Sequence, residues 1–441
     1  MLWVSIYMTK ISEWSYFKNI ISVFMTKIFV LSFGLISTII LARALGPEGR
    51  GYLAAILIYP TLLLALTEGG MRQSAVFYLG QKKATDAKVI GALFSYILFA
   101  GLIGTVAVYM LMQWFGPNGF SDAMLLVATA VLPLTLAVNA LKGVFLGKEK
   151  IGEFNKATWI QKFVYVAGIA LLYFFDYLTI FSAVVVTTLS VVFNLIQALY
   201  YLKRNHLFSF ELDFGVFRSM LKLGIVYALA LFFIQANYKV DILFLSWLST
   251  PDELGNYAVA VQVGELLWQL PAAVLVVLMS KSANSDKSMI VNTVCKTCRL
   301  TLLATSFSGV GLVVVSYFLI EPVFGAGFSL TFNMLLMLSL GLVLASVFKS
   351  INAYYAGQGN PYFTIYLMGG VVVINIILNI IFIPEYGGVG AALASTISYS
   401  FSAIGSAVIF SKREGVYLKD ILICKKTDFL PLINKLKRKR L

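Results

Sequence analysis

Three polar residues, Gln262, Glu265 and Gln269, recur at spacings of three and four inside an otherwise apolar run. On one helix they form a single polar stripe. Hydrocarbon does not tolerate such a stripe, so it must face protein or water. Further ionisable groups stand in other apolar runs. Lys27 shares a helical sector with Gly34 and Thr38. Glu68 and Arg72 are four apart with the acid first, the better order for an intrahelical pair. Gln235, Asn237, Lys239 and Asp241 crowd one run. Gln235 and Lys239 share a face, as do Asn237 and Asp241, whereas Lys239 and Asp241 diverge by about 200° and do not both line one cavity. Lys142 and Lys349 complete the set.

The chemistry open to these residues is binding and charge compensation. Lysine and arginine replace the water and counterions that an anion loses on entering a membrane protein. A buried carboxylate holds its proton to higher pH and so exchanges it near neutrality. Each residue also has a plainer reading. Lys142 and Lys349 lie within about two turns of expected helix ends, where long side chains snorkel to water. Glu68 with Arg72 makes a structural pair, Asp241 is hydrated near the end of its helix, and Asn375 and Asn379 bond between helices.

Covalent and metal chemistry find no support. The only histidine, His206, falls in a polar connection, and no Ser-His-Asp set, phosphate-binding glycine loop or metal cluster is present. Cys295 and Cys298 form one C-x-x-C without a second pair or a nearby histidine, which reads as part of an ordinary helix. No cofactor and no metal is expected.

The elements that carry these residues follow from composition. Of 441 residues, 60% are hydrophobic and 12% charged, with a mean hydropathy of +0.88. Soluble domains carry about 25% charged residues, so this chain cannot cover itself in water and is expected to be a polytopic membrane protein. Twelve runs are long enough to cross about 30 Å of hydrocarbon: 19–42, 52–79, 89–115, 122–146, 158–175, 178–202, 220–247, 256–280, 291–319, 329–356, 362–383 and 388–410. Turn signals separate them, among them Gly46-Pro47, Thr250-Pro251-Asp252 and Gly387-Gly388.

One alternate set of connections holds Lys82, Lys83, Lys88, Lys148, Lys150, Lys203, Arg204 and Lys281, while the other holds Glu48, Asp122, Asp176, Asp252, Glu321 and Glu385 with only Arg43 and Arg50 as bases. By the positive-inside rule both termini are cytoplasmic. From Lys412 to Arg440 ten bases face three acids, half of the net +14, which suits anionic inner-leaflet lipids rather than nucleic acid. Residues 1–18 carry apolar side chains at three-to-four spacing broken by charges, an interfacial amphipathic segment rather than a cleavable signal.

The halves echo one another. Gly46-Pro47-Glu48-Gly49-Arg50-Gly51-Tyr52 is answered by Thr250-Pro251-Asp252-Glu253-Leu254-Gly255-Asn256-Tyr257, and Thr187-Thr188-Leu189-Ser190 by Ser395-Thr396-Ile397-Ser398. Six spans repeated in the same sense are the plan of transporters with two rocking halves. The expected organisation is an N-terminal bundle at 19–202, a cytoplasmic linker at 203–219, a C-terminal bundle at 220–410 and a basic tail at 411–441. The fold class is all-α, with twelve transmembrane helices in two pseudo-symmetric six-helix bundles around a central cavity.

The string Leu41-Ala42-Arg43-Ala44-Leu45-Gly46-Pro47-Glu48-Gly49-Arg50-Gly51 resembles the first-loop signature of bacterial polysaccharide-export flippases of the multidrug/oligosaccharidyl-lipid/polysaccharide exporter superfamily. Asp241 to Leu248, Gln358-Gly359-Asn360-Pro361, Gly387 to Ala392 and Lys419 to Ile423 are similar to the same family. The resemblance implies flipping of undecaprenyl-diphosphate-linked oligosaccharide repeat units to the periplasmic leaflet of the bacterial inner membrane, for O-antigen or capsule. It makes the lipid-linked oligosaccharide the partner and a polysaccharide polymerase a candidate one. On this reading Lys27, Arg72, Lys239 and Lys349 form a cationic lumen, Glu68, Asp241 and Glu265 are candidates to couple a proton or sodium ion, and Gln262 and Gln269 line the lumen. A cation-coupled multidrug antiporter is the alternative, and a membrane-embedded polymerase or ligase a weaker one.

Overall fold

The computed structural model describes residues 2–116, 120–284 and 287–428, and among them every regular element is helical. The side chains of residues 2–21 lie outside the described ones, and with them the amphipathic face expected over 1–18. Residues 429–441 of the basic tail lie outside as well. The chain divides into two compact units, Met1–Phe232 and Phe233–Leu441.

The first unit holds α1 (Leu2–Thr67), α2 (Met71–Gly80), α3 (Asp86–Phe115), α4 (Asp122–Gly147), α5 (Ile151–Phe174) and α6 (Ile180–Arg204). The helix α7 (Phe214–Leu248) starts in this unit and ends in the second. The second unit continues with α8 (Pro251–Gly264), a 3₁₀ turn (Glu265–Trp268), α9 (Gln269–Asn284), α10 (Lys287–Phe324), α11 (Ser329–Gly357), α12 (Tyr362–Glu414) and the short α13 (Leu418–Leu422).

Local chemistry sets the starts. The side chains of Thr85, Ser121 and Thr250 accept from backbone N–H groups three residues on, at 3.3–3.4 Å, closing the first turns of α3, α4 and α8. Thr179 and Ser182 cap α6 reciprocally.

Nine helices among the described residues are long and apolar enough to span a membrane. Of these, α12 contains two of the expected runs, and α1 contains one and most of a second. At 1.5 Å per residue the 66 residues of α1 would reach about 99 Å if straight, about three hydrocarbon thicknesses. The helix bends instead at Gly46 (φ 65°), and α12 bends at Gly387 (φ 53°). The signals Gly46-Pro47 and Gly387-Gly388 therefore mark kinks without a loop. At the second kink Glu253 accepts from the Gly388 N–H at 3.0 Å and from the Ser249 hydroxyl, so α8 braces the bend.

Two expected runs are broken. Run 52–79 stops at Thr67 and resumes at Met71, with Gly69 and Gly70 at φ 55° and 62°. Glu68 and Arg72 thus flank a break and do not sit on one continuous helix as their spacing suggested. The break exists for packing: a Cβ on Gly70 would fall 2.1 Å from the Gly224 carbonyl oxygen of α7, closer than any side chain allows. Ser74 fastens the same crossing by donating to the Met220 carbonyl at 2.7 Å. Run 256–280 is broken by the 3₁₀ turn, which changes the pitch between Gln262 and Gln269, so the three polar residues are not one unbroken α-helical stripe.

Each unit has its own apolar core. Met71, Leu93, Phe145, Leu202 and Met220 centre the first. Phe348, Tyr354, Phe363 and Phe410 centre the second, where Cys295 and Cys298 are buried as packing residues. Outside the cores, large apolar side chains such as Leu102, Ile103 and Phe307 are exposed on the long helices, the surface that lipid would cover. This is a multi-span membrane protein.

Candidate functional site

Asp241 is 1% exposed, on α7. The Asn379 amide donates to its Oδ1 at 2.7 Å, the Tyr257 hydroxyl donates to Oδ2 at 3.0 Å, and the Ser395 hydroxyl bonds the same oxygen. The Asn375 amide donates to Ser398 at 3.0 Å, joining the two limbs of α12 beside it. Among the described residues no cation pairs with this carboxylate, so neutral donors alone surround it. It is not a hydrated helix-end acid. One turn earlier, Asn237 is fully buried with both amide atoms unbonded, and Asn379 Oδ1 is also unbonded. Buried polar atoms without partners are rare and need a reason. Asn375 Oδ1 accepts from the Asn379 amide, so the carboxylate and the unbonded amide oxygens of Asn237 and Asn379 are the oxygens on α7 and α12 with room for a small cation or a proton.

The 3₁₀ turn places a second group. Trp268 at its end donates to the Leu342 carbonyl at 3.0 Å, which fixes the indole. Tyr238 and Tyr399 close on it with ring centroids 4.8 and 6.0 Å away and 5.8 Å from each other, an aromatic box. The Lys349 ammonium lies 3.7 Å over the Trp268 ring and 5.0 Å from that of Tyr238. Lys349 is thus held against rings and does not snorkel along apolar surface to water. Glu265 acts on it through space but is not in ion-pair contact.

The first unit gathers positive charge. Arg72 Nε meets Glu68 Oε1 at 3.0 Å, and the Asn139 amide reaches Glu68 at 3.5 Å. Lys142 feels Arg72, Lys162 and Glu68 as its charged neighbours. Arg72 and Lys142 share one acid there, so the Glu68–Arg72 pair leaves an excess of positive charge.

Asp241 comes together with Asn375 and Asn379, and Lys349 with the polar turn at Glu265. Lys27 on α1 and Lys239 on α7 are half-buried and make no ion pair among the described residues. Gln262 and Gln269 flank the 3₁₀ turn and are half-buried. Asp241 and Lys239 separate as the helical angle required, the acid inward and the lysine less buried. Tyr257, Ser395, Tyr238, Trp268 and Tyr399 were not legible as site residues, because aromatic and small hydroxyl residues in apolar runs read as packing. Trp268 had one signal, its place one residue before the polar Gln269.

Solved structures similar to this chain include proteins described as membrane transporters. One described as lipid II flippase MurJ in an inward closed conformation superposes with a TM-score of 0.74 at 21% identity, over 90% of this chain and 88% of that one. A multidrug resistance MATE family transporter of the MOP superfamily, facing inward, gives 0.68 at 16% identity over 88% and 94%. A MOP superfamily transporter from Pyrococcus furiosus, described as having a binding pocket of reverse polarity, gives 0.61 at 14% over 90% and 96%. At these identities the likeness establishes the fold. No curated protein matches the chain. The family of polysaccharide biosynthesis proteins matches residues 16–279, more than half of the sequence. The chain therefore belongs to the polysaccharide biosynthesis protein family.

Proposed function

We propose that this protein is a flippase that carries polyprenyl-diphosphate-linked oligosaccharide repeat units from the cytoplasmic to the periplasmic leaflet of the bacterial inner membrane for surface polysaccharide assembly. It would use twelve spans, both termini being cytoplasmic, and the alternating access that two repeated halves permit. It is a transporter in this reading and not an enzyme. The observation that carries it is the excess of positive charge: Arg72 and Lys142 beside a single Glu68, and Lys349 held by rings instead of a carboxylate. An organic cation would be repelled by such groups, whereas a diphosphate head gains charge-assisted bonds that replace its lost hydration. Family membership and the flippase fold support the same cargo.

Asp241 then supplies coupling. Ringed by neutral donors and unbonded amide atoms, it would bind a sodium ion or proton whose arrival reshapes the contacts among α7, α8 and α12. Lys27 and Lys239 add to the cationic lining, with Gln262 and Gln269 beside them.

In a host lacking its own exporter, the wild-type gene should restore surface polysaccharide. Lys349→Gln and Asp241→Asn should insert normally but leave lipid-linked oligosaccharide accumulating inside. Normal surface polysaccharide from both variants would refute the assignment. The second reading, a multidrug antiporter, is favoured by the aromatic box around Trp268, since such boxes also bind organic cations. Proton-driven ethidium export by the purified protein in liposomes would select it.

A further inference from the structure

Arg50 was counted among the outward connections, yet the structure buries it to 9% exposure, just after the kink of α1. Its Nε has no hydrogen-bond partner, and among the described residues no carboxylate pairs with it. Glu48, two residues earlier, is exposed. The ionisable neighbour is Tyr165 of α5. Buried charges are normally paired, coordinated or neutralised, because desolvation costs several kcal/mol per ion. A guanidinium enclosed by apolar helices and a phenol satisfies none of these.

Two further features point the site at an anion. The second limb of α1 starts at Pro47, so Arg50 lies in its first turn, at the positive end of that limb's dipole. Tyr165 also underlies the Lys162 ammonium at 5.9 Å, and Lys162 in turn is a charged neighbour of Lys142, beside Arg72. Cations therefore run in steps along the first unit. Glu68 lies 18 residues from Arg50, about 27 Å along a straight helix at 1.5 Å per residue, so the two ends of this series bracket most of a hydrocarbon thickness.

We infer that Arg50, with Tyr165 and the first turn of the second limb of α1, forms an oxyanion subsite that receives a phosphate oxygen of the cargo's head group at the end of the unit opposite Arg72 and Lys142. The inference rests on the flippase reading and adds a second station to it. A head group bound only at Arg72 and Lys142 would face a long apolar climb; a second cation near the far end holds it until release. Arginine suits this station because its planar fork binds a phosphate through two parallel bonds and stays charged when buried.

The test uses the full-length protein in lipid nanodiscs with inorganic pyrophosphate as the probe, at constant ionic strength. Affinity is read by tryptophan fluorescence and stability by thermal unfolding. Arg50→Gln should bind pyrophosphate at least tenfold more weakly and melt at the same or a higher temperature, since it removes an uncompensated buried charge. Arg50→Lys should fall between Gln and wild type in affinity. In cells Arg50→Gln should reduce surface polysaccharide at least tenfold at equal membrane levels. Unchanged pyrophosphate affinity, or a lower melting temperature with affinity retained, overturns the subsite and makes Arg50 a packing residue. If Lys349→Gln and Arg72→Gln stop export while Arg50→Gln does not, this inference alone fails. If all three export normally, the flippase reading fails with it.

Discussion

Replacing Asp428 by asparagine should release the segment that follows α13 from α10. Arg299 grips this carboxylate with two bonds, Nε to Oδ2 at 2.7 Å and Nη2 to Oδ1 at 2.6 Å, and its remaining amine bonds the Asp420 carbonyl. Both side chains are buried, at 6% and 3% exposure. Removing one partner of such a pair costs about 3–5 kcal/mol when the survivor stays buried. A second route gives less. Arg299 pulls the Asp428 carboxyl from 3.8 down to about 2, which is worth about 2 kcal/mol at neutral pH. The smaller figure applies, because asparagine keeps one acceptor and the freed guanidinium reaches water once the segment lifts.

A cost of about 2 kcal/mol multiplies the detached fraction about thirtyfold. Trypsin reads that fraction directly at Lys425 and Lys426 when opening is faster than cleavage. Mass spectrometry of those two sites should show cleavage about thirtyfold faster in Asp428→Asn than in wild type. The pH dependence has a fixed sign. The folded pKa lies below the unfolded one, so the stabilisation is complete above about pH 5 and is lost as pH falls through 3.8 towards 2. Peptic cleavage at Leu422 checks this, and its variant-to-wild-type ratio should fall towards one over that window. Tryptic rates within threefold of each other, or a peptic ratio independent of pH, would refute the clamp.

Gly70→Ala should lower the melting temperature sharply, because its Cβ would sit 2.1 Å from the Gly224 carbonyl oxygen and because φ is 62° there. Thermal unfolding of the purified protein, with Gly152→Ala in open space as the control, measures the difference. Trp268→Leu should couple to Lys349→Gln by about 1–2 kcal/mol in a double-mutant cycle, since each change removes one side of the cation–π contact. Additive effects on unfolding would show that the lysine gains nothing from the ring.

Composition and charge alternation made the membrane class, the helical fold and the family resemblance legible, because lipid demands long apolar runs and helical backbones whatever the packing. The position of Asp241 on α7, and the interhelical bonding of Asn375 and Asn379, also followed from residue type, since polar groups in such runs must find partners. Sequence did not show that Glu68 ends a helix, because Gly69-Gly70 reads as tolerated glycine until Gly224 of a distant helix presses against it. It did not show that the stripe from Gln262 to Gln269 is interrupted by a 3₁₀ turn at Glu265–Trp268, whose Trp268 bonds Leu342 of a helix far along the chain. Arg50 looked like a loop base by its place between two runs, and only the closure of α5 and α6 around it made it a buried charge. Hydrophobic patterning is a property of each segment alone, so sequence determined it. The breaks, the box around Lys349 and the enclosure of Arg50 are properties of pairs of segments far apart in the chain, so tertiary packing decided them.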